Sequence, residues 1–265
     1  MQPRIVVLGG GFGGLFTALY LAGSGEITLV SDEDHFLFTP MLYEYLSGEV
    51  EAWHIAPRYD ELLEGNVRFV RGRIAGIDLA AQSASLENSN EKLNYDVLVI
   101  GLGGVTNYVG VDGAKEYSLP FRKLDHADNL RRRMVTALDR IAPDLAPQDV
   151  RREVTFAIVG GGASGCELST KMADLLYDAF KRRSLHGEPR VLVIEMGDKV
   201  IPGMGDQIRE IVEDSLHKSR VEVHTETRVV KVTSDEITFE HEGRQENLKV
   251  AGVVWTGGVK MSPLI

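Results

Sequence analysis

Short apolar runs, separated by glycine-rich or polar turns, set the rhythm of the chain. Ile5–Leu8, Ile27–Val30, Tyr95–Ile100, Val154–Val159, Arg190–Ile194 and Gly252–Trp255 are dense in Val, Ile and Leu. Unbroken apolar runs of this length predict strands buried on both faces of a parallel sheet. Helical periods lie between them. Leu15, Ala18, Leu19 and Ala22 share one helix face, as do Leu130, Met134, Leu138 and Ile141, and Cys166–Phe180 continue as a helix. Asp125 and Asp206 are placed to cap helices, and Pro143 and Pro147 to end one. Strand and helix in alternation predict an α/β chain. Two stretches depart from this rhythm. Residues 67–78 with 83–86, and residues 221–225, 228–233 and 236–241, read as small antiparallel insertions. Residues 44–64 read as helical with breaks near Gly48 and Pro57, and 105–124 as a connector.

One turn occurs twice. Gly9, Gly11 and Gly14 follow the first strand and open a helix; Gly160, Gly162 and Gly165 follow the strand Val154–Val159 and open another. Strand, GxGxxG, helix is the context in which the spacing predicts a dinucleotide site. The first glycine makes the tight turn, the second admits the pyrophosphate, and the third packs helix against strand. Phosphate then meets the free N–H groups of the helix start. Each motif is followed by another apolar strand, where an acid binds ribose hydroxyls. In the second half Glu195 ends its strand. In the first half Ser31 holds that position, followed by Asp32, Glu33 and Asp34. Either Ser31 makes a weaker ribose contact or Asp32 swings in. A later strand in each half ends in glycines, Gly101–Gly104 and Gly257–Gly258, where backbone or ligand can approach closely. Two such units suit two dinucleotides, a resident flavin and an exchanging nicotinamide, arranged as a hydride relay.

Composition narrows the setting. At 265 residues there is room for about two domains at the usual ~100–200 residues each. The formal net charge of −10 disfavours nucleic acid and anionic membrane as the main partner. The Arg131-Arg132-Arg133 run accordingly reads as a solvated helix face. A single cysteine, Cys166, excludes an internal disulfide and a redox cysteine pair, and no metal motif is present. Cys166 reads as a packing residue. No apolar run approaches the ~18 residues of a membrane span. A first strand within a few residues of the start leaves no room for a leader, so a cytoplasmic setting is expected.

Taken together, Gly9-Gly10-Gly11-Phe12-Gly13-Gly14, Phe38-Thr39-Pro40-Met41-Leu42-Tyr43-Glu44, Asp96–Gly101, Val159–Leu168 and Val253–Val259 resemble the type II NADH dehydrogenases. These are single-subunit NAD(P)H:quinone oxidoreductases of the two-dinucleotide flavoprotein superfamily, and the likeness is to the cyanobacterial and plastid C1 branch. It covers essentially the whole chain. The resemblance implies two Rossmann-like domains with antiparallel insertions: residues 1–120 for FAD, 121–245 for NADH, and 246–265 returning toward the first domain. It implies FAD on Gly9, Gly11, Gly13 and Gly14, with Ser31 or Asp32 at the ribose, Thr39 and Pro40 beside the flavin ring, Ile74 at the adenine, and Gly101 and Gly103 nearby. It implies NADH on Gly160, Gly162, Gly165, Glu195 and Gly257. NADPH is disfavoured because Glu195 repels a 2′-phosphate and Met196 follows it. Glu167, just past the second motif, matches a glutamate near the flavin and the quinone path; a carboxylate merely stabilised by the helix start is the competing reading. The substrate implied is a quinone, and a homodimer stays open.

The family's C-terminal part, with its flavin-binding Gly-Asp pair, quinone site and membrane anchor, has no counterpart here. Gly197-Asp198 and Gly205-Asp206 lie inside the second unit. A shortened chain with weak flavin retention and no quinone reductase activity of its own is therefore expected. Peripheral membrane association would belong to the longer family form. Two other readings stand beside this one: a flavin reductase with a protein acceptor of the ferredoxin or rubredoxin kind, and a non-catalytic nucleotide-binding module.

Overall fold

The computed structural model describes residues Gln2–Leu264. In chain order, β1 (Arg4–Leu8), α1 (Phe12–Tyr20) and β2 (Glu26–Ser31) make the first βαβ half. A 3-10 turn (Thr39–Met41), α2 (Leu42–Ser47), α3 (Ala52–Ile55) and α4 (Tyr59–Leu62) follow. Then come β3 (Val67–Arg71), β4 (Ile74–Asp78), β5 (Ser83–Leu86), β6 (Lys92–Asn94), β7 (Val97–Ile100) and β8 (Gly104–Thr106). The next stretch holds α5 (Ala114–Tyr117), β9 (Leu119–Pro120), α6 (Leu124–Asp139) and α7 (Pro147–Glu153). The second half runs β10 (Thr155–Val159), α8 (Ala163–Arg182), β11 (Arg190–Ile194), α9 (Asp206–Lys218) and β12 (Glu222–His224). It closes with β13 (Thr227–Val232), β14 (Glu236–His241), β15 (Arg244–Lys249), β16 (Gly252–Trp255) and β17 (Val259–Met261).

The chain divides into two compact units. The first comprises Met1–Thr39, Val50–Val105 and Lys260–Ile265; the second comprises Pro40–Glu49 and Thr106–Val259. In the first, a parallel sheet has the order β3-β2-β1-β7. Its central strand explains why apolar residues run without alternation. Ile5 and Val7 face α1, packing with Leu15, Ala18 and Tyr59, while Val6 and Leu8 face the β4-β5-β6 insertion, packing with Ile74, Leu86 and Leu93. Both faces are covered, so every position on β1 past Arg4 is buried. Each aliphatic side chain so buried contributes about 1.5–3 kcal/mol.

The second unit repeats the plan with one more strand. Its parallel sheet has the order β12-β11-β10-β16-β9. Ala157, Val159, Leu192, Ile194, Val253 and Trp255 meet Val229, Val232, Ile237 and Phe239 of the β13-β14-β15 insertion. Helix α8 packs on β10 and β11. A separate two-stranded sheet joins β8 and β17.

Several local expectations are revised, and the revisions match between halves. Val67–Arg71 does not belong to the first insertion: β3 pairs in parallel with β2. Residues 222–224 likewise leave the second insertion, because β12 pairs in parallel with β11. Each insertion is instead the next three strands in order, and β6 and β15 are the strands that pattern reading missed. Strands of three to five residues at a sheet edge carry too little periodicity to declare their partner. β16 pairs with β10 and β9 in the second sheet, and the segment that begins at Lys260 is grouped with the first unit. The connector 105–124 contains α5 and the edge strand β9. Lys123, not Asp125, and Gly205, not Asp206, stand at the helix N-caps. Pro147 begins a helix, at the position where its missing N–H costs nothing.

The arginine run also changes meaning. Arg131 Nε donates to the Leu46 carbonyl at 3.0 Å and its Nη2 to the Tyr45 carbonyl, so it caps the C-terminus of α2. Arg133 Nη2 donates to the Ser234 carbonyl at 3.0 Å and its Nε to the Ala251 carbonyl. Only Arg132 of the three is exposed. Arg131 thereby ties Pro40–Glu49 to its unit, aided by Lys171 Nζ on Glu49 Oε1 at 2.7 Å.

At the sheet edge, Glu222 is held by His224, by Arg190 Nη2 at 2.6 Å and by Arg151. Hydrogen bonding to His224, together with the two arginines, takes its carboxyl down to about 2, against a burial cost. A lowered carboxyl contributes stability above its unfolded pKa and loses it as pH falls through the folded value. Glu222→Gln should therefore lower the melting temperature by about 3 °C at pH 7 and have little effect near pH 2, as read by thermal unfolding across pH.

Candidate functional site

Both glycine turns are built by the same close approach. In the first unit Leu8 pairs with Val30 on one side and Ile100 on the other. Gly9 lies at φ +101°, a conformation open to glycine, and a Cβ there would stand 2.3 Å from the Gly101 oxygen. A Cβ on Gly14 would stand 1.7 Å from the Gly9 oxygen, so α1 can seat against β1 only without a side chain there. In the second unit Val159 pairs with Ile194 and Trp255. Gly160 lies at φ +109° with its would-be Cβ 2.6 Å from the Gly257 backbone, and a Cβ on Gly165 would stand 1.9 Å from the Gly160 oxygen. Gly9, Gly14 and Gly101 are thus brought together, as are Gly160, Gly165 and Gly257.

The middle glycines behave oppositely. Gly11 and Gly162 are the N-caps of α1 and α8, in extended conformation, and a Cβ on either meets nothing within 4 Å. The same openness surrounds Gly13. An open cradle beside the unbonded N–H groups of a helix of nine or twenty residues is a seat for phosphate. Gly103, at φ +63°, is also open.

Register equates Ser31 with Glu195, since Leu8 and Val30 correspond to Val159 and Ile194. The two positions differ in chemistry. Glu195 Oε2 accepts the Gly161 N–H at 2.6 Å and its Oε1 the Gly197 N–H at 2.7 Å. The carboxylate therefore stands at the glycine turn with its orientation set by two charge-assisted bonds. The Gly161 carbonyl accepts the Ile201 N–H at 2.6 Å. In the first unit Ser31 is buried at the end of β2. There the Tyr59 hydroxyl donates to the Gly10 carbonyl at 2.6 Å, beside Ser31. Burial raises the pKa of this phenol, which therefore stays a donor. Asp32 is exposed just beyond, its carbonyl accepting from Arg71 Nε at 3.3 Å. Tyr59 and Ile201 are the residues that sequence reading missed. Neither belongs to a spacing motif; each reaches the turn from a later segment.

The remaining candidates separate. Thr39 and Pro40 are exposed in the 3-10 turn, where Thr39 closes a segment of the first unit and Pro40 opens one of the second. Ile74 is buried at the start of β4, in the core beneath the insertion. Glu167 lies in the first turns of α8, within a polar cluster of the second unit. The Tyr43 ring lies tilted against that of Phe121, centroids 5.4 Å apart, and its phenol stands beside Ser164 and Glu167. Burial raises Tyr43, and partial desolvation together with the charge of Glu44 raises Glu167. Oε2 of Glu44 is buried without a hydrogen-bond partner. Cys166 beside them is buried, its Sγ 3.4 Å from the Gly161 carbonyl, and burial pushes its thiol up to about 11, as suits an inert packing residue. Between α8 and α9 an apolar cleft of about 240 Å³ is lined by Cys166, Thr170, Ile201, Met204 and Ile208. That is below the ~300 Å³ at which small-molecule pockets begin. Among the described residues no group of His, Cys, Asp or Glu is arranged to hold a metal, and no helix is long and apolar enough to cross a membrane.

Two glycine-cradled parallel sheets define a two-dinucleotide protein, and comparison with known proteins places it further. Residues 3–265 match the pyridine nucleotide-disulphide oxidoreductase family, to which the chain belongs. It is 36% identical to the demethylphylloquinone reductase NdbB of Synechocystis, covering 100% of this chain and 64% of that protein. It is 32% identical to the type II NADH:quinone oxidoreductase NdhA of Mycobacterium tuberculosis, covering 99% of this chain and 58% of that protein. The chain thus spans about three fifths of the length of these curated relatives. The structure of NDH2 from Plasmodium falciparum in complex with NADH superposes with a TM-score of 0.92 at 22% identity, covering 100% of this chain and 57% of that one. The last likeness concerns the fold.

Two outcomes follow from this geometry. Gly14→Ala should destabilise the chain by about 3 kcal/mol, because backbone would have to move, whereas Gly11→Ala should stay within about 1 kcal/mol; thermal unfolding distinguishes them. Glu167 has a raised pKa, so the fold penalises its ionised form. That penalty is absent below the unfolded carboxylate pKa and grows as pH rises through the folded one. Glu167→Gln should accordingly melt higher than the unaltered chain at pH 8 and equally at pH 4.

Proposed function

We propose that the chain carries the nucleotide-binding machinery of an FAD-dependent NADH:quinone oxidoreductase of type II. The observation that carries this reading is the duplicated cradle with a carboxylate at the ribose position of the second copy alone. A flavin in the first unit would be held by the α1 start and Gly9, Gly11, Gly13 and Gly14, with Ser31 or Asp32 toward its ribose. Thr39, Pro40, Ile74, Gly101 and Gly103 are assigned to the same site. A nicotinamide dinucleotide in the second unit would be held by the α8 start, Gly160, Gly162 and Gly165, with Gly257 behind the turn and Glu195 on the adenosine ribose diol. The quinone as acceptor comes from the names of the relatives.

The open space at Gly11 and Gly162 fits a pyrophosphate in each unit, since an added Cβ at either helix start would meet no protein atom within 4 Å. A flavin held there would supply the redox chemistry, the passage of two electrons from reduced nicotinamide to a quinone. The protein's own part is binding and orientation. Glu195 is already aimed by the Gly161 and Gly197 N–H groups, so a ribose diol meets an acceptor that needs no reorganisation. The same fixed charge opposes a 2′-phosphate, making NADH the preferred donor. Glu167, partly desolvated beside Tyr43 and Glu44, is assigned the catalytic role of holding a proton for the acceptor step. The net reaction consumes one: NADH, a proton and a quinone give NAD⁺ and a quinol.

The test uses the chain with excess FAD. NADH should bleach the flavin absorbance anaerobically, and NADPH should bind at least tenfold more weakly than NADH. Glu195→Gln should weaken NADH by about tenfold and narrow that preference. Equal affinity for the two nucleotides in the unaltered chain would overturn the assignment of Glu195.

A further inference from the structure

The two turns hold the glycine before the helix cap, Gly10 or Gly161, differently, and the difference points to Tyr59. In the second unit Gly161 is gripped on both edges: its N–H by the Glu195 carboxylate at 2.6 Å, its carbonyl by the Ile201 N–H at 2.6 Å. In the first unit the carboxylate is replaced by Ser31, which register places at the same point. A serine side chain is too short to repeat the carboxylate's reach to the turn. What holds Gly10 there is the Tyr59 hydroxyl on its carbonyl, 2.6 Å away.

Tyr59 is built for this. It is 1% exposed, packed in the core with Ile5, Leu15 and Phe36, and its ring lies 4.6 Å from that of Phe69. The ring is fixed by packing, so the hydroxyl has one position. A Cβ added to Gly10 would fall 1.9 Å from that hydroxyl and 2.9 Å from Ser31 Cβ. Gly10, outside the GxGxxG spacing, is therefore a glycine because a phenol occupies the space beside it. Gly161 is a glycine for the matching reason, its would-be Cβ 2.9 Å from Glu195 Cβ.

We infer that Tyr59 is the positioning residue of the first nucleotide cradle, doing with a buried phenol what the second unit does with the Glu195 carboxylate and the Ile201 amide. It touches no phosphate; it sets the peptide that precedes Gly11 and so the direction of the N–H groups that do. The ligand class is the pyrophosphate of an adenine dinucleotide. The inference rests on the reading of the first unit as a flavin site, and one of its two measurements is independent of that reading.

The first measurement is amide hydrogen exchange over residues 9–14 of the nucleotide-free chain. Tyr59→Phe removes one oxygen and keeps the ring, so exchange there should quicken several-fold while β10–α8 is unchanged. The second is FAD titration. Tyr59→Phe should weaken FAD by about five- to tenfold, the equivalent of one lost hydrogen bond, with NADH affinity unaltered. Adding Ser31→Glu to Tyr59→Phe supplies the missing carboxylate grip and should recover both readouts in part. Exchange and FAD affinity of Tyr59→Phe within twofold of the unaltered chain would overturn the inference. So would equal loss of FAD and NADH affinity with a lowered melting temperature, which marks a core residue only. Failure of the unaltered chain to bind FAD, with quickened exchange in Tyr59→Phe, would overturn the flavin reading and leave the grip on Gly10 established.

Discussion

Everything in each half depends on a backbone-to-backbone approach that no side chain can survive. Gly14 against the Gly9 carbonyl, and Gly165 against the Gly160 carbonyl, let a helix start directly over the end of the central strand. A third segment, ending β7 or β16, presses on the same point through Gly101 or Gly257. Because three backbones meet there, the helix start is fixed by packing, and its free N–H groups form a preorganised anion seat. The sheets supply the rest of the rigidity: both faces of β1 and β10 are covered, so neither turn can relax without exposing core.

With the cradle common to both units, chemistry is distributed through what surrounds it. The second unit places a charge at the strand end, and that charge is itself held by two peptide N–H groups. The first unit places a neutral serine there and recruits a tyrosine from α4 to steady the turn. A charged strand end selects among nucleotides by repulsion as well as attraction, whereas a neutral one leaves selection to the rest of the site. The two proposed ligands differ in this respect, since only the nicotinamide cofactor comes in forms with and without a 2′-phosphate.

The cluster at the start of α8 shows a second kind of constraint. Tyr43 and Glu44 arrive on α2, a short helix whose C-terminus is capped by Arg131 and whose end is tied to α8 through Lys171 and Glu49. This attachment puts a phenol and a second carboxylate beside Glu167, where desolvation raises both Tyr43 and Glu167. Opposing burial with so few compensating bonds is costly, and such cost is commonly retained where a proton must be held.

By itself the sequence determined the α/β class, the two cradles and the acid at Glu195. Those are properties of local pattern: apolar runs covered on both sides, glycines at fixed offsets, a charge at a strand end. It also marked Ser31 as a departure, because the expected residue type was absent at a countable distance. Tertiary structure alone decided which short strands belong to the sheets and which to the insertions, since three residues of β12 or β9 do not name their partner. It decided that Arg131 and Arg133 are engaged with carbonyls rather than solvated, because their acceptors lie some 85 and 118 residues away in the chain. And it brought Tyr59 to Gly10 across 49 residues, a contact no spacing rule contains, because the core packing that aims the phenol exists only once β1, α1 and α4 have come together.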